Sequence, residues 1–331
     1  MGILHTAAFV LAFALGAAHG QDGPATPEST PSEPAAPQAP ARAPGELPAD
    51  TAPAARALWD RFAAAQRVMG APAGPVRSFD VEFQVRTRTG SQSNDLRAKV
   101  LWRGPGLVRF SPVGQAEVGR SPKGYWLRDG DEAIELSGRD YGKDRDDIDM
   151  ALRISQSFAR LADPTRLDIH ALRMSDGPPA DLPKVNGLRP RDLVWLELET
   201  ADFNLASRSM PGARGPRGAP PLDRVRLGLT SKDLLPRIVH VTPLVAGPEP
   251  AANPASDGAP APVAARPIHE AIYVLDRHAP LTGLRVAREV YMYERGPETV
   301  RAPGIPERPT YEVFLLRGEL DVKIPDARFL P

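Results

Sequence analysis

From Phe79 onward the chain alternates apolar and polar residues with a period of two. Phe79, Val81, Phe83 and Val85 fall on one side, and Asp80, Glu82, Gln84 and Arg86 on the other. Successive side chains of a strand point to opposite faces, so this segment predicts a half-buried strand. Leu96, Ala98, Val100 and Trp102 repeat the pattern against Arg97 and Lys99, and Ser91 to Asn94 between them predict a hairpin turn. Shorter strands are expected at 107–111, 115–119, 125–128 and 133–136, with Asp129-Gly130 as a turn signal. Further strands are expected at 193–199, 223–230, 237–242, 270–276, 285–294, 311–317 and 319–324. Two segments carry a helical period instead. Leu58, Phe62, Ala65 and Met69, with Trp59 beside them, make a stripe over 54–69. Ala151, Ile154, Phe158 and Leu161 make a second, capped by Asp146 or Asp147 and stopped at Asp163-Pro164. The fold class is therefore α+β: a curved antiparallel sheet whose concave side is covered by helices.

The alternation fails in four places. Residues 7–18 are an apolar run without charge, followed by Ala18 and Gly20. Its length suits a cleavable signal peptide over residues 1–20 and is too short to span a bilayer. Residues 21–54 hold nine Pro and nine Ala, one Leu and no aromatic residue. Such a stretch buries too little apolar surface to offset its ordering entropy, so a disordered Pro/Ala-rich linker is expected. Two more Pro-rich breaks, about 210–221 and 243–267, lie between predicted strands and read as long loops inserted in one domain, 55–331. No later apolar run reaches the length of a transmembrane helix.

Composition narrows the function classes. There is no Cys among the 331 residues, which excludes a lipid anchor on Cys, thiol catalysis and disulfides. Acids and bases balance at 41 each, and the linker takes five acids against one base. The remainder is only slightly positive, so nothing marks a nucleic-acid partner. His269-Glu270 and Asp276 with His278 are the residues nearest to a metal set, but no H-x-H or H-E-x-x-H spacing accompanies them. The acidic run Asp144 to Asp149 lacks the central Gly and closing Glu of a calcium loop, and helix capping explains it. No nucleophile motif, P-loop or dinucleotide fingerprint is present, so no catalytic residue, metal or cofactor is expected.

Three segments resemble a family. Trp102-Arg103-Gly104-Pro105-Gly106-Leu107-Val108-Arg109-Phe110 resembles the Arg-Pro-Gly turn of LolA-like proteins, the outer-membrane lipoprotein carriers and their relatives. Gly124-Tyr125-Trp126-Leu127 resembles their following strand, and the segment 320–329 resembles their closing segment. The chain departs from the pattern at Gly104, which separates Arg103 from Pro105, and at Asp321. The resemblance implies an eleven-strand half-barrel with an apolar concavity that holds acyl chains. It implies Phe79, Val81, Phe83, Val85, Val100, Trp102, Phe110, Trp126 and Trp195 as candidate lining residues, and Arg103 as the residue that locks a lid. The partner implied is a lipid or acylated lipoprotein, in the periplasm or outside the cell. The alternative is an envelope interaction or sensor module of the same fold, with its groove filled by side chains and another envelope protein as partner.

Overall fold

The computed structural model describes residues 43, 45–89, 92–136, 142–184, 187–203, 205, 221–244, 270–296 and 307–331. The expected signal peptide, most of the expected linker, the tip of the first hairpin and most of the two Pro-rich loops lie outside these residues. Among these residues thirteen strands form one antiparallel sheet, two more than the resemblance implied. The first meander is β1 (Ser78–Thr89), β2 (Gln92–Arg103), β3 (Leu107–Pro112), β4 (Glu117–Ser121), β5 (Gly124–Asp129) and β6 (Glu132–Glu135). The second is β7 (Ala171–Met174), β8 (Leu193–Thr200), β9 (Asp223–Thr230), β10 (Pro236–Pro243), β11 (Glu270–Leu281), β12 (Leu284–Arg295) and β13 (Tyr311–Leu320). The two meanders join where β1 pairs with β13, so β6 and β7 are the opposite edges. The sheet curves without closing and two helices cover its concave side: α1 (Pro53–Gln66) and α2 (Gly142–Ala162).

This topology dictates where α2 goes. The chain leaves the sheet at one edge, after β6, and re-enters at the other, at β7. The segment between them has to cross the whole sheet, and α2 makes the crossing on the concave side. Its apolar residues recur at helical spacing: Ile148, Ala151, Leu152, Phe158, Ala159 and Ala162 are all buried. Ile154, expected in that stripe, lies outside the described side chains. The helix begins at Gly142, a turn earlier than a cap at Asp146 or Asp147 requires.

Register explains the two faces. Phe79 lies opposite Trp102, Val81 opposite Val100, Phe83 opposite Ala98 and Leu315, and Val85 opposite Leu96 and Val313. Directly opposed residues share a face, so one apolar surface runs across the centre. It continues through Val290, Leu275, Val239 and Leu227 to Leu196. The Phe79 half packs under α2, and the Leu196 half packs under Ala55, Leu58, Trp59 and Phe62 of α1. Fully burying a residue such as Phe79 stabilises by about 2–3 kcal/mol.

The convex face carries ion pairs. Asp80 meets Lys99 at 3.2 Å, and Glu82 lies between Arg97 and Arg317. Most of these groups are exposed and screened, so they contribute less than the concave core. Glu197 differs, because its side chain is only 5% exposed. Arg226 Nε donates to it at 2.6 Å, Arg173 adds a second bond and Arg224 lies at 3.4 Å. Burial pushes the Glu197 carboxyl up, but the Arg226 and Arg173 bonds outweigh burial and hold it below the ordinary carboxylate range. A depressed carboxyl contributes stability above its unfolded value and loses it as pH falls through the folded one. Glu197→Gln is expected to cost about 1–2 kcal/mol near neutral pH. The difference from the wild type should shrink as pH falls below the ordinary glutamate value of 4.5. Urea unfolding of both proteins across that range checks this; a gap that stays constant would show that the charge is not what matters.

Three local expectations change. α1 ends at Gln66, short of Met69, which is 99% exposed. The last strand ends at Leu320 because Asp321 takes φ +55, and residues 321–331 then fold onto the convex face instead of continuing as a strand. The four-residue β7 was not anticipated, since Leu172 is its one buried side chain. The last residues before α1 also lie on the domain. Leu47 packs against the α1 core, and Gly45 donates its backbone N–H to Leu167.

Candidate functional site

Seven of the nine expected lining residues converge on the concave face under α2. They are Phe79, Val81, Phe83, Val85, Val100, Trp102 and Phe110. Phe79 stacks on Trp102 with ring centres 5.2 Å apart. Phe158 of α2 drops between the strands and meets Phe79 edge-on at 5.2 Å and Phe83 edge-on at 4.9 Å. Such edge contacts add about 0.5–1.5 kcal/mol each beyond burial. Phe158 therefore occupies the space that an inserted chain would need.

Trp126 and Trp195 lie on the opposite face. Trp126 sits beside Gly119, whose register neighbours Arg109 and Leu101 face the convex side. A Cβ on Gly119 would come within 2.4 Å of the indole, so only glycine admits the ring there. The Trp126 Nε1 donates to the Phe329 carbonyl at 2.8 Å, and the Arg109 guanidinium lies 5.6 Å from the ring centre. Trp195 packs with Ile238, Ile272, Val274 and Tyr293, and its Nε1 donates to Pro190 at 2.9 Å.

Arg103 does not reach either helix through the bonds it makes. It donates to the Ile324 carbonyl at 2.6 Å, pairs with Asp326 and lies over the Phe329 ring at 5.4 Å. It clasps the C-terminal segment. The physical reason is alternation: Arg103 follows Trp102 in one strand, so the two side chains leave opposite faces.

Other residues hold α2 in place. Gln156 Nε2 donates to the Pro105 carbonyl at 2.9 Å, tying the helix to the β2–β3 turn. Gln66 of α1 is fully buried and donates to Ala162 at 3.2 Å and to Arg285 at 2.5 Å. Asp163, just past α2, pairs with Arg67 and accepts from Thr165 at 2.5 Å. Burial raises the Asp163 carboxyl in spite of these partners. Arg160 meets Asp202 at 3.5 Å, and burial lowers its guanidinium from the usual value. None of these ties was anticipated; Gln66, a polar residue at the end of an apolar helical stripe, was the one legible signal.

A cleft of about 380 Å3 opens at this end of α2. Its apolar lining includes Val76, Trp102, Pro105, Ala159 and Leu167, and its charged lining is Arg77, Arg160, Arg166, Asp163 and Asp202. Trp102, one of its lining residues, stacks on Phe79 of the buried cluster.

The described residues among those weighed as metal ligands do not assemble. His269 lies outside the described residues. Glu270 contacts His240 and bonds Arg295 at 3.0 Å. His278 is pushed down to about 4 by burial, with Arg237 and Arg285 nearby to disfavour a cation. Among the described residues no three His, Asp or Glu side chains group to hold a metal. No helix among them is long and apolar enough to cross a membrane.

No protein-family model and no curated protein matches the chain. Solved structures with some likeness to this chain include a LolA superfamily protein from Nitrosomonas europaea, at 12% identity and a TM-score of 0.39, covering 84% of this chain and 97% of that one. A DUF1329 family protein from Desulfovibrio piger is 12% identical with a TM-score of 0.39, covering 84% and 96%. A domain described as an outer membrane lipoprotein-sorting protein from Vibrio parahaemolyticus is 9% identical with a TM-score of 0.34, covering 82% and 94%. The curved, unclosed sheet with helices on its concave side is the α+β architecture expected from the sequence.

Proposed function

We propose that this is an exported envelope protein that binds a lipid or lipoprotein acyl chain on its concave face, beneath α2, without catalysing a reaction. The observation that supports it is the pairing of a continuous apolar strand face with a helix that crosses it and a cleft beside the helix end that shares Trp102 with that face. Each CH2 that moves from water onto such a surface contributes about 0.8 kcal/mol, so a chain of ordinary lipid length gains enough to displace Phe158. Phe79, Val81, Phe83, Val85, Val100, Trp102 and Phe110 would line the bound chain. On this reading residues 1–20 are removed on export, the Pro/Ala-rich linker acts as a spacer and the domain works in the periplasm or outside the cell. Its partner is a lipid or an acylated lipoprotein.

A second reading has one observation behind it. Trp59 and Phe62 of α1 fill the other half of the concave face, ring against ring at 5.3 Å. A half-barrel filled on both sides is an interaction or sensor module whose partner is another envelope protein.

Native mass spectrometry of the mature protein, together with titration of a fluorescent fatty acid, separates the two. A carrier should retain lipid on purification or take up the probe with saturable binding. No bound lipid and no uptake would sink the carrier reading and favour the module.

A further inference from the structure

We infer that the cleft at the C-terminal end of α2 is a headgroup site, taking the carboxylate or phosphate of an anionic amphiphile whose chain runs beneath α2. This rests on the acyl-chain reading and adds to it the charge class of the ligand.

Three guanidinium groups, Arg77, Arg160 and Arg166, line one cleft with two carboxylates. The carboxylates already have partners. Asp163 is held by Arg67, which is not itself part of the lining, and by Thr165. Asp202 accepts from the Asp168 backbone at 2.7 Å, from Thr200 at 3.2 Å and faces Arg160 at 3.5 Å. Arg77 lies within ion-pair distance of no carboxylate among the described residues, and Arg166 acts on Asp163 only at longer range, lowering its carboxyl. The cleft is therefore left with an excess of positive charge.

Two buried donors add an independent observation. Arg166 Nε and Trp102 Nε1 are buried and have no hydrogen-bond partner among the described residues. Both belong to residues that line this cleft. Buried donors without partners are costly and rare in folded proteins. An anion drawn into the cleft brings acceptors to this donor-rich wall, and the planar fork of Arg matches carboxylate and phosphate oxygens.

The chain end of the ligand follows from the same lining. Val76, Ala159 and Leu167 carry no charge, and Trp102 stacks on Phe79, which packs under Phe158. A free inorganic anion would leave that apolar surface unused.

The test is calorimetric titration of the full mature chain with dodecanoate, dodecanol, dodecyltrimethylammonium and inorganic phosphate. Dodecanoate should bind at least about tenfold more tightly than dodecanol, the discrimination that one charge-assisted contact supplies. The double variant Arg77→Gln, Arg166→Gln should lose that advantage and bind dodecanol as the wild type does. Arg77 is exposed, so the single Arg77→Gln variant repeats the comparison if the double variant does not fold. Equal affinity for dodecanoate and dodecanol overturns the headgroup site and leaves the acyl-chain reading standing, as does tighter binding of the cationic detergent. Phosphate binding as tightly as dodecanoate overturns the assignment of an amphiphile. Binding of no chain at all removes the acyl-chain reading, and the headgroup site falls with it.

Discussion

Phe158→Ala should lower the stability of the ligand-free protein by about 3–5 kcal/mol and increase its uptake of a fatty-acid probe. The cost follows from burial. Phe158 is 9% exposed and makes edge contacts with both Phe79 and Phe83, so its removal leaves a void between α2 and the sheet. Interiors relax only partly into such voids. The gain in uptake follows from competition, because an acyl chain under α2 has to fill the space that the Phe158 ring now fills. The variant should therefore recover more stability on adding fatty acid than the wild type does, since a ligand stabilises in proportion to its affinity for the folded state. Thermal unfolding with and without fatty acid, on both proteins, measures this. A loss of stability that fatty acid does not restore would show that Phe158 is ordinary core, as the filled-groove module requires.

Trp126→Ala is expected to cost a similar 3–5 kcal/mol and to leave uptake per folded molecule unchanged. Trp126 is 1% exposed, so the void it leaves is as severe. It also loses the bond to Phe329 that helps pin the C-terminal segment to the convex face. Its location, however, is across the sheet from α2. The pair of variants separates stability from binding: similar damage to the fold, but a gain in ligand uptake only for Phe158→Ala. Chemical denaturation combined with probe titration at a temperature where both variants remain folded provides the comparison. A drop in probe affinity for folded Trp126→Ala would mean that the chain is held on the convex side, and would overturn the concave assignment.

These two residues also show how far the sequence was legible. Phe79 to Val85 and Leu96 to Trp102 alternate strictly, and the structure pairs them residue for residue on one face. Phe158 was legible as a buried helical position from its spacing to Ala151 and Leu161. Trp126 and Trp195 drew attention as large apolar residues on strands. Their parity carried a further signal. Trp126 alternates in step with Arg128, and Trp195 with Glu197 and Glu199, whereas Leu196 and Leu198 take the other side. In each case the large ring shares its face with charged residues, and a local cover shields it: the C-terminal segment over Trp126, and Leu182 and Leu188 beside Trp195. Arg103 carried the same signal by following Trp102 directly.

The ties that hold α2 had no comparable signal. Gln66 and Ala162 are 96 positions apart, as are Arg67 and Asp163. Nothing in local pattern links residues so distant, and the cleft between Trp102, Arg77, Arg160 and Arg166 exists only once those ties are made.

By itself, then, the amino-acid sequence determined most of the strands, the two helices and the α+β class, because alternation and helical spacing are local and each residue's neighbours enforce them. Only the tertiary structure decided which face each strand turns inward, that β1 and β13 meet at the centre, and that α2 must cross the concave side from edge to edge. Those outcomes depend on register and on pairing between distant segments, and such contacts are chosen by the packing of the whole sheet rather than by any stretch of chain.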